Sequence, residues 1–342
     1  MYRVSSNDGT VSLNHDSFLR MSQLKHWLKS IHEYDLTDIR PASADASFRR
    51  YFRVTDRLSG RTFVVMDAPP DKEDCRPFVH ITELLRGANV NAPEIICMDL
   101  DRGLLLLADL GDRQYLDHLD EDSSNRLYGD ALTALINMQG IQDHLPDYNR
   151  MRLHDEMGLF EPWYLNKHLK VALDNQQKSV LGDIFDLLID SALQQPRVFV
   201  HRDYHSRNLM LVDDNNPGVI DYQDAVIGPI TYDLVSLFKD CYIEWPRERI
   251  ETWLDEYLDK TSIELPVARE CFIRWFDLMG VQRHLKVLGI FARLNYRDGK
   301  SQYLHDLPLT LKYIVNTCSQ YQDLSPLLNL LEKTVLNHPE VI

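Results

Sequence analysis

The chain has 342 residues, 44% of them apolar and 26% charged, enough for one large core or two lobes and with nothing that implies disorder at scale. A formal charge of −15 opposes polyanions such as DNA and anionic membranes, so any phosphate site must be a local cluster of cations. Five scattered cysteines without a Cys-x-x-Cys pair indicate neither a disulfide framework nor a zinc knuckle, and no stretch has the apolar length of a signal peptide or membrane span. The expectation is a cytoplasmic protein that binds no nucleic acid and no membrane and needs no obligate protein partner.

In chain order, residues 1–16 read as a mobile polar tail, ending where Asp16 or Ser17 can cap a helix with Leu24, Trp27, Leu28 and Ile31 at helical spacing. Residues 17–110 then form a nucleotide-binding lobe. Segments 38–43, 48–54 and 62–66 predict three antiparallel strands, 76–87 a helix, and 95–98 and 103–108 two further strands. Between the first two strands, Ala42-Ser-Ala-Asp-Ala-Ser47 stands where a phosphate-cradling loop belongs. Its small residues permit close approach and Ser47 can donate a hydrogen bond, although an ordinary hairpin turn fits equally well. Asp109-Leu110-Gly111 ends the last apolar strand and reads as the link to the second lobe, its backbone groups meeting an adenine edge. Residues 111–342 form that lobe, with amphipathic helices over 125–138 and 176–193 and mostly helix beyond Thr231.

The segment His201-Arg-Asp-Tyr-His-Ser-Arg-Asn208 has the pattern His-Arg-Asp-x-x-x-x-Asn, and a hairpin of 209–212 with 219–220 returns Asp221 beside Asn208. In kinase chemistry Asp203 orients the acceptor hydroxyl and takes its proton, while Asn208 and Asp221 hold magnesium against the nucleotide phosphates. His205 and Arg207 are placed to neutralise the transferred phosphoryl group, the other reading of His205 being a hydrogen bond internal to the loop. Asp233 opens the next helix and reads as structural. One residue departs from the pattern: Val64-Val-Met-Asp67 carries an acid where kinases carry a phosphate-pairing lysine. Arg49 and Arg53, four apart on the preceding strand, or Arg207 must then replace it, unless the site is degenerate.

This constellation resembles the aminoglycoside phosphotransferase superfamily, from about residue 38 to about residue 315. The resemblance implies an α+β, bilobal protein-kinase-like fold with a small β-rich N-lobe, a larger helical C-lobe, and ATP with Mg2+ as cofactors. Within it, residues 43–53, 64–70 and 282–294 look like the bacterial cell-wall amino-sugar kinases, which phosphorylate N-acetylmuramate and N-acetylglucosamine at the anomeric hydroxyl during peptidoglycan recycling.

The short gap from Asp221 to Gly228-Pro229 leaves no room for a peptide-docking segment, which favours a small acceptor. Residues 271–297 predict one helix, apolar nearly all round, on which Arg283, Lys286, Arg293 and Arg297 fall within about an 80° sector. That stripe suits an anionic acceptor; alternatively acids such as Asp298 or Glu161 satisfy it, or it meets solvent. Glu161, Trp163 and Tyr164 are further acceptor-site candidates, because aromatic faces stack on sugar rings and carboxylates bind hydroxyls. The function expected is an ATP-dependent kinase for a small-molecule sugar; the alternatives are a phosphotransferase for an aminoglycoside or choline, and a nucleotide-binding pseudokinase.

Overall fold

The computed structural model describes residues 8–43 and 48–338, for 8–17 and 43 the backbone alone. Ser47 lies outside the described residues. The chain divides into two compact units, the first running to Glu83 and from Pro93 to Leu110, the second comprising Leu84–Ala92 and everything from Gly111 onward.

The first unit contains helix α1 (Asp8–Ser30), strands β1 (Leu36–Ser43), β2 (Arg50–Asp56) and β3 (Thr62–Asp67), most of α2 (Arg76–Gly87), and strands β4 (Ile95–Asp99) and β5 (Leu104–Ala108). The strands form one antiparallel sheet in the order β1-β2-β3-β5-β4. Leu24, Trp27 and Leu28 of α1 pack on one face against Phe52, Val54, Phe63, Val65, Leu104 and Leu106. Leu105 and Leu107 point the opposite way along β5 and are equally buried, so the second face is covered too, as the unbroken Leu104–Leu107 run requires. Helix α1 starts eight residues before Asp16, which corrects the expected 16-residue tail. No proline interrupts the segment, so the helical backbone continues through Asp16 and Ser17 despite their capping preference.

The second unit is mainly helical: α3 (Ser124–Gln139), α4 (Arg150–Met157), a π-helix (Phe160–His168), α5 (Asn175–Leu193), α6 (Tyr232–Phe238), α7 (Arg247–Lys260), α8 (Arg269–Asp298), α9 (Leu307–Gln320) and α10 (Ser325–Thr334). Two small ladders flank the segment at 201–208: β6 (Arg197–Val200) pairs with β9 (Val226–Pro229), and β7 (Leu209–Met210) with β8 (Gly218–Val219). Helix α8 is the axis of this unit, packing against the π-helix, α4, α5, α6 and α9, so its apolar residues are buried all round. It ends at Gly299, whose φ of 70° is the left-handed conformation that terminates helices. Among the described residues no helix is long and apolar enough to cross a membrane.

Close packing at α8 depends on Gly289. A Cβ there would fall 2.5 Å from the carbonyl carbon and 2.7 Å from the Cβ of Leu159, at the entry to the π-helix. Gly289→Ala is therefore expected to destabilise by about 1–3 kcal/mol through overpacking. Gly182→Ala, in open space on α5, is expected to stabilise by roughly 0.5–1 kcal/mol from helix propensity. Urea denaturation checks both, and equal midpoints for the two variants would contradict this account of α8 packing.

Candidate active site

The loop between β6 and β7 is held from below by buried acids. Asp233, in the first turn of α6, accepts the backbone N–H of His201 at 2.7 Å and of Arg202 at 3.0 Å, and burial pushes its carboxyl up to about 7. Asp240 accepts the N–H of Ser206 at 2.9 Å and its hydroxyl as well, and the Tyr204 hydroxyl donates to the Ala131 carbonyl at 2.8 Å. Burial lowers His201 to about 4, so its ring is neutral. Its Nδ1 accepts the Asp203 N–H at 3.2 Å, which leaves Nε2 to donate to the Ile220 carbonyl at 3.1 Å. One imidazole thus ties the Asp203 loop to the residue between β8 and Asp221. Arg202 and Asp221 adopt φ of 79° and 64°, a conformation uncommon for residues with side chains and one that clusters at functional sites.

These anchors bring Asp203, Asn208 and Asp221 together. The Asn208 Nδ2 donates to the Asp203 carbonyl at 3.0 Å and lies 3.5 Å from the Asp221 Oδ2, while Gln223 Nε2 donates to the Asp221 Oδ1 at 2.8 Å. Burial alone would raise the Asp203 carboxyl, but Lys286, His205, Arg283 and Arg202 around it hold it below the usual carboxylate range. His205 sits edge-on to Tyr242, its Nδ1 buried with no hydrogen-bond partner among the described residues, and burial pulls it below the ordinary histidine value. Arg207 lies over the Tyr242 ring, 3.6 Å from its centroid.

A cavity of about 530 Å3 opens between α4 and α8, its charged lining made of Arg152, Arg202, Lys286 and Arg293 with Asp147, Asp155 and Glu156. Glu156 is the hub of its wall. Arg202 and Lys286 both pair with it, Lys286 at 3.0 Å, and the Tyr148 hydroxyl donates to it. Burial opposes the charged form of Glu156, yet these two cations hold its carboxyl below its ordinary range. Lys286 also donates to the Tyr232 hydroxyl at 2.9 Å.

Other residues singled out from the sequence lie elsewhere. Arg283 is buried beside Asp203 with a weak contact to Cys241 Sγ at 3.9 Å, and among the described residues its Nε has no hydrogen-bond partner. Glu161 pairs with Lys178 at 2.8 Å; Tyr164 is buried between Phe160 and His168; and neither these two nor Trp163 lines the cavity. The π-helix winding of 160–168 sets those directions, which simple α-helical spacing does not anticipate. In the first unit, Arg53 forks onto Asp109 at 2.6 and 2.9 Å, and Arg49, which precedes β2, pairs with Glu73 at 3.1 Å. The two arginines serve different acids rather than one face. Leu110 and Gly111 mark the boundary between the units, Gly111 with a φ of 85°.

Asp67 is fully buried and has a structural reason to be acidic. Arg20 from α1 reaches its Oδ1 at 2.6 Å, and Arg50 reaches its Oδ2 through Nε at 3.1 Å. Arg50 and Asp67 are direct cross-strand partners in the β2–β3 register, so this pair was in principle legible from hairpin pairing. Glu156, Tyr148 and Gln223 were also missed. Asn149, whose side chain accepts the Arg152 N–H as the cap of α4, was the available signal for the helix that carries Glu156.

The sequence matches the phosphotransferase enzyme family over residues 38–271. An N-acetylmuramate/N-acetylglucosamine kinase of Pseudomonas aeruginosa is 47% identical over 327 residues, covering 91% of this chain and 96% of that protein. One from Neisseria meningitidis is 40% identical over 325 residues, covering 92% and 96%. Among solved structures, a choline kinase from Streptococcus pneumoniae gives a TM-score of 0.62 at 13% identity, covering 86% of this chain and 99% of that one. An ADP-bound aminoglycoside phosphotransferase gives 0.58 at 14%, covering 86% and 97%. At these identities the structural likeness speaks for the fold alone, an α+β kinase-like architecture with a β-rich N-lobe and a helical C-lobe.

Proposed function

The chain belongs to the phosphotransferase enzyme family, and from that premise we propose that it is an ATP- and magnesium-dependent, cytoplasmic kinase for N-acetylmuramate and N-acetylglucosamine, acting at the anomeric hydroxyl in peptidoglycan recycling. The observation that carries this reading is Asp203, fixed by its backbone and held below the usual carboxylate range by Lys286 and Arg202, two cations that line a cavity of about 530 Å3. The names of relatives 40–47% identical over most of the chain support the choice of sugar.

In this reading Asp203 accepts the proton of the attacking hydroxyl. An anomeric hydroxyl is more acidic than a ring alcohol, which eases that transfer. Asn208 uses its amide nitrogen on the Asp203 carbonyl, so its Oδ1 is the atom to meet a metal, together with the Asp221 carboxylate. An amide oxygen and a carboxylate are hard donors that suit magnesium, which keeps water and phosphate ligands of its own. Bound there, magnesium neutralises charge on the nucleotide phosphates. Ser47, Arg49, Arg53 and the Asp109-Leu110-Gly111 backbone remain the residues assigned to the nucleotide, with His205 and Arg207 assigned to the transferred group.

Because Asp67 is committed to Arg20 and Arg50, another cation must take the part of the absent lysine. Arg49 and Arg53 already hold acids, so Arg207→Met is expected to cost the most kcat, on the order of 10-fold or more, compared with Arg49→Met and Arg53→Met. Near-normal rates in all three variants would refute the substitution. The acceptor itself is tested by ADP release with a panel of alcohols: the two amino sugars should exceed choline and aminoglycosides, and the reverse order would overturn the reading.

A further inference from the structure

The basic stripe on α8 separates into four different situations. Arg297 is exposed and forked onto Asp298 at 2.7 and 2.9 Å. Lys286 is buried and its charge is met by Glu156. Arg283, 4% exposed, lies deep beside Asp203 and does not line the cavity. Arg293 lines the cavity, has no carboxylate within 4 Å among the described residues, and buries its Nε without a hydrogen-bond partner. Burial first, and then Arg297, pull its pKa below the ordinary arginine value, with Asp298 opposing. An arginine stays charged even so, and Arg293 is therefore a cation without an ion pair among the described residues, at the wall of a cavity whose acids include Glu156, itself already paired with Arg202 and Lys286.

Its position fits a particular anion. Lys286 marks the end of the cavity next to Asp203, and Arg293 follows seven residues later, two turns or about 10 Å along the helix axis. N-acetylmuramate differs from N-acetylglucosamine by a lactyl ether whose carboxylate is displaced from the anomeric hydroxyl by the width of the sugar ring. With that hydroxyl at Asp203, the carboxylate falls toward Arg293, whose guanidinium can hold it in a fork. We propose that Arg293 is the residue that distinguishes the lactyl sugar from the neutral one, by binding its carboxylate within this cavity. The proposal rests on the acceptor reading above.

The test compares kcat/KM for both sugars in the wild type and in Arg293→Met, Arg293→Lys and Arg297→Met. Arg293→Met should lose about 10- to 100-fold for N-acetylmuramate, mostly in KM, and less than about 2-fold for N-acetylglucosamine. Arg293→Lys should recover part of the loss, and Arg297→Met should match the wild type with both sugars. Equal losses for the two sugars in both Arg293 variants, or no loss in either, would overturn the assignment while leaving the kinase reading intact. A wild type that phosphorylates neither sugar would bring down the acceptor reading and this assignment with it.

Discussion

Replacing Asp203 by Asn is expected to lower kcat by roughly 10²- to 10⁴-fold, the usual contribution of a positioned general base, while leaving nucleotide affinity nearly unchanged. The structure makes the substitution a clean one. The hydrogen bonds that hold residue 203 use its main chain, whose N–H donates to His201 and whose carbonyl accepts from Asn208 and from the His205 N–H, so the amide variant keeps the loop in place. What changes is the acceptor of the proton. Lys286, His205, Arg283 and Arg202 hold the wild-type carboxyl below its ordinary range despite burial, so the acid limb of the wild-type rate profile should also lie below that range. Steady-state kinetics with calorimetric nucleotide titration decides the matter, and retention of more than about a tenth of wild-type kcat would remove Asp203 from the role of base.

The largest effect on stability is expected away from the chemistry, at Asp277. Its carboxylate, fully buried in α8, accepts from Lys239 at 2.8 Å, from Arg247 at 2.5 and 2.9 Å, and from the Tyr321 hydroxyl at 2.7 Å. Asp277→Ala leaves Lys239, 4% exposed, as an uncompensated charge in the core, so a loss of about 3–5 kcal/mol is expected. At roughly 2–4 °C per kcal/mol for a unit of this size, calorimetry should show a fall of the order of 10 °C in melting temperature. The pH dependence has a definite sign. Burial raises the Asp277 carboxyl but Lys239 and Arg247 bring it below its ordinary value, so the stabilisation is present above the unfolded carboxylate pKa and disappears as pH falls through the folded one. An unchanged melting temperature would mean that the ion pairs merely offset their own desolvation. Replacing Asp277 and Lys239 together by apolar residues should recover much of the loss, because no charge is then stranded.

The parts of this molecule legible in its sequence were those with strong local signals. Helix α8 was readable because only a long, thoroughly buried helix tolerates so many apolar residues at every angle. The Asp203 loop was readable because its spacing is fixed by chemistry, and the β-strands of the first unit because their apolar runs are bounded by turns. Helix α4 was lost: of its eight residues only Leu153 and Met157 are buried, one weak stripe on a polar segment, and Glu156 with its two cations went unnoticed as a result. Strand β9 was lost because Gly228 and Pro229 occupy half of it. The fate of each basic residue on α8 depended on acids distant in sequence, and helical periodicity places residues on a face without saying what meets them there. Asp67 seemed anomalous only while its partners were unknown.

The position of the phosphate on the product tests the central claim most directly. If Asp203 activates the anomeric hydroxyl as proposed, incubation of N-acetylmuramate with ATP and magnesium, followed by phosphorus NMR and reducing-end oxidation, should give a sugar phosphate whose phosphorus couples to the anomeric proton and which resists oxidation. A phosphorylated product with a free, oxidisable reducing end would contradict the account.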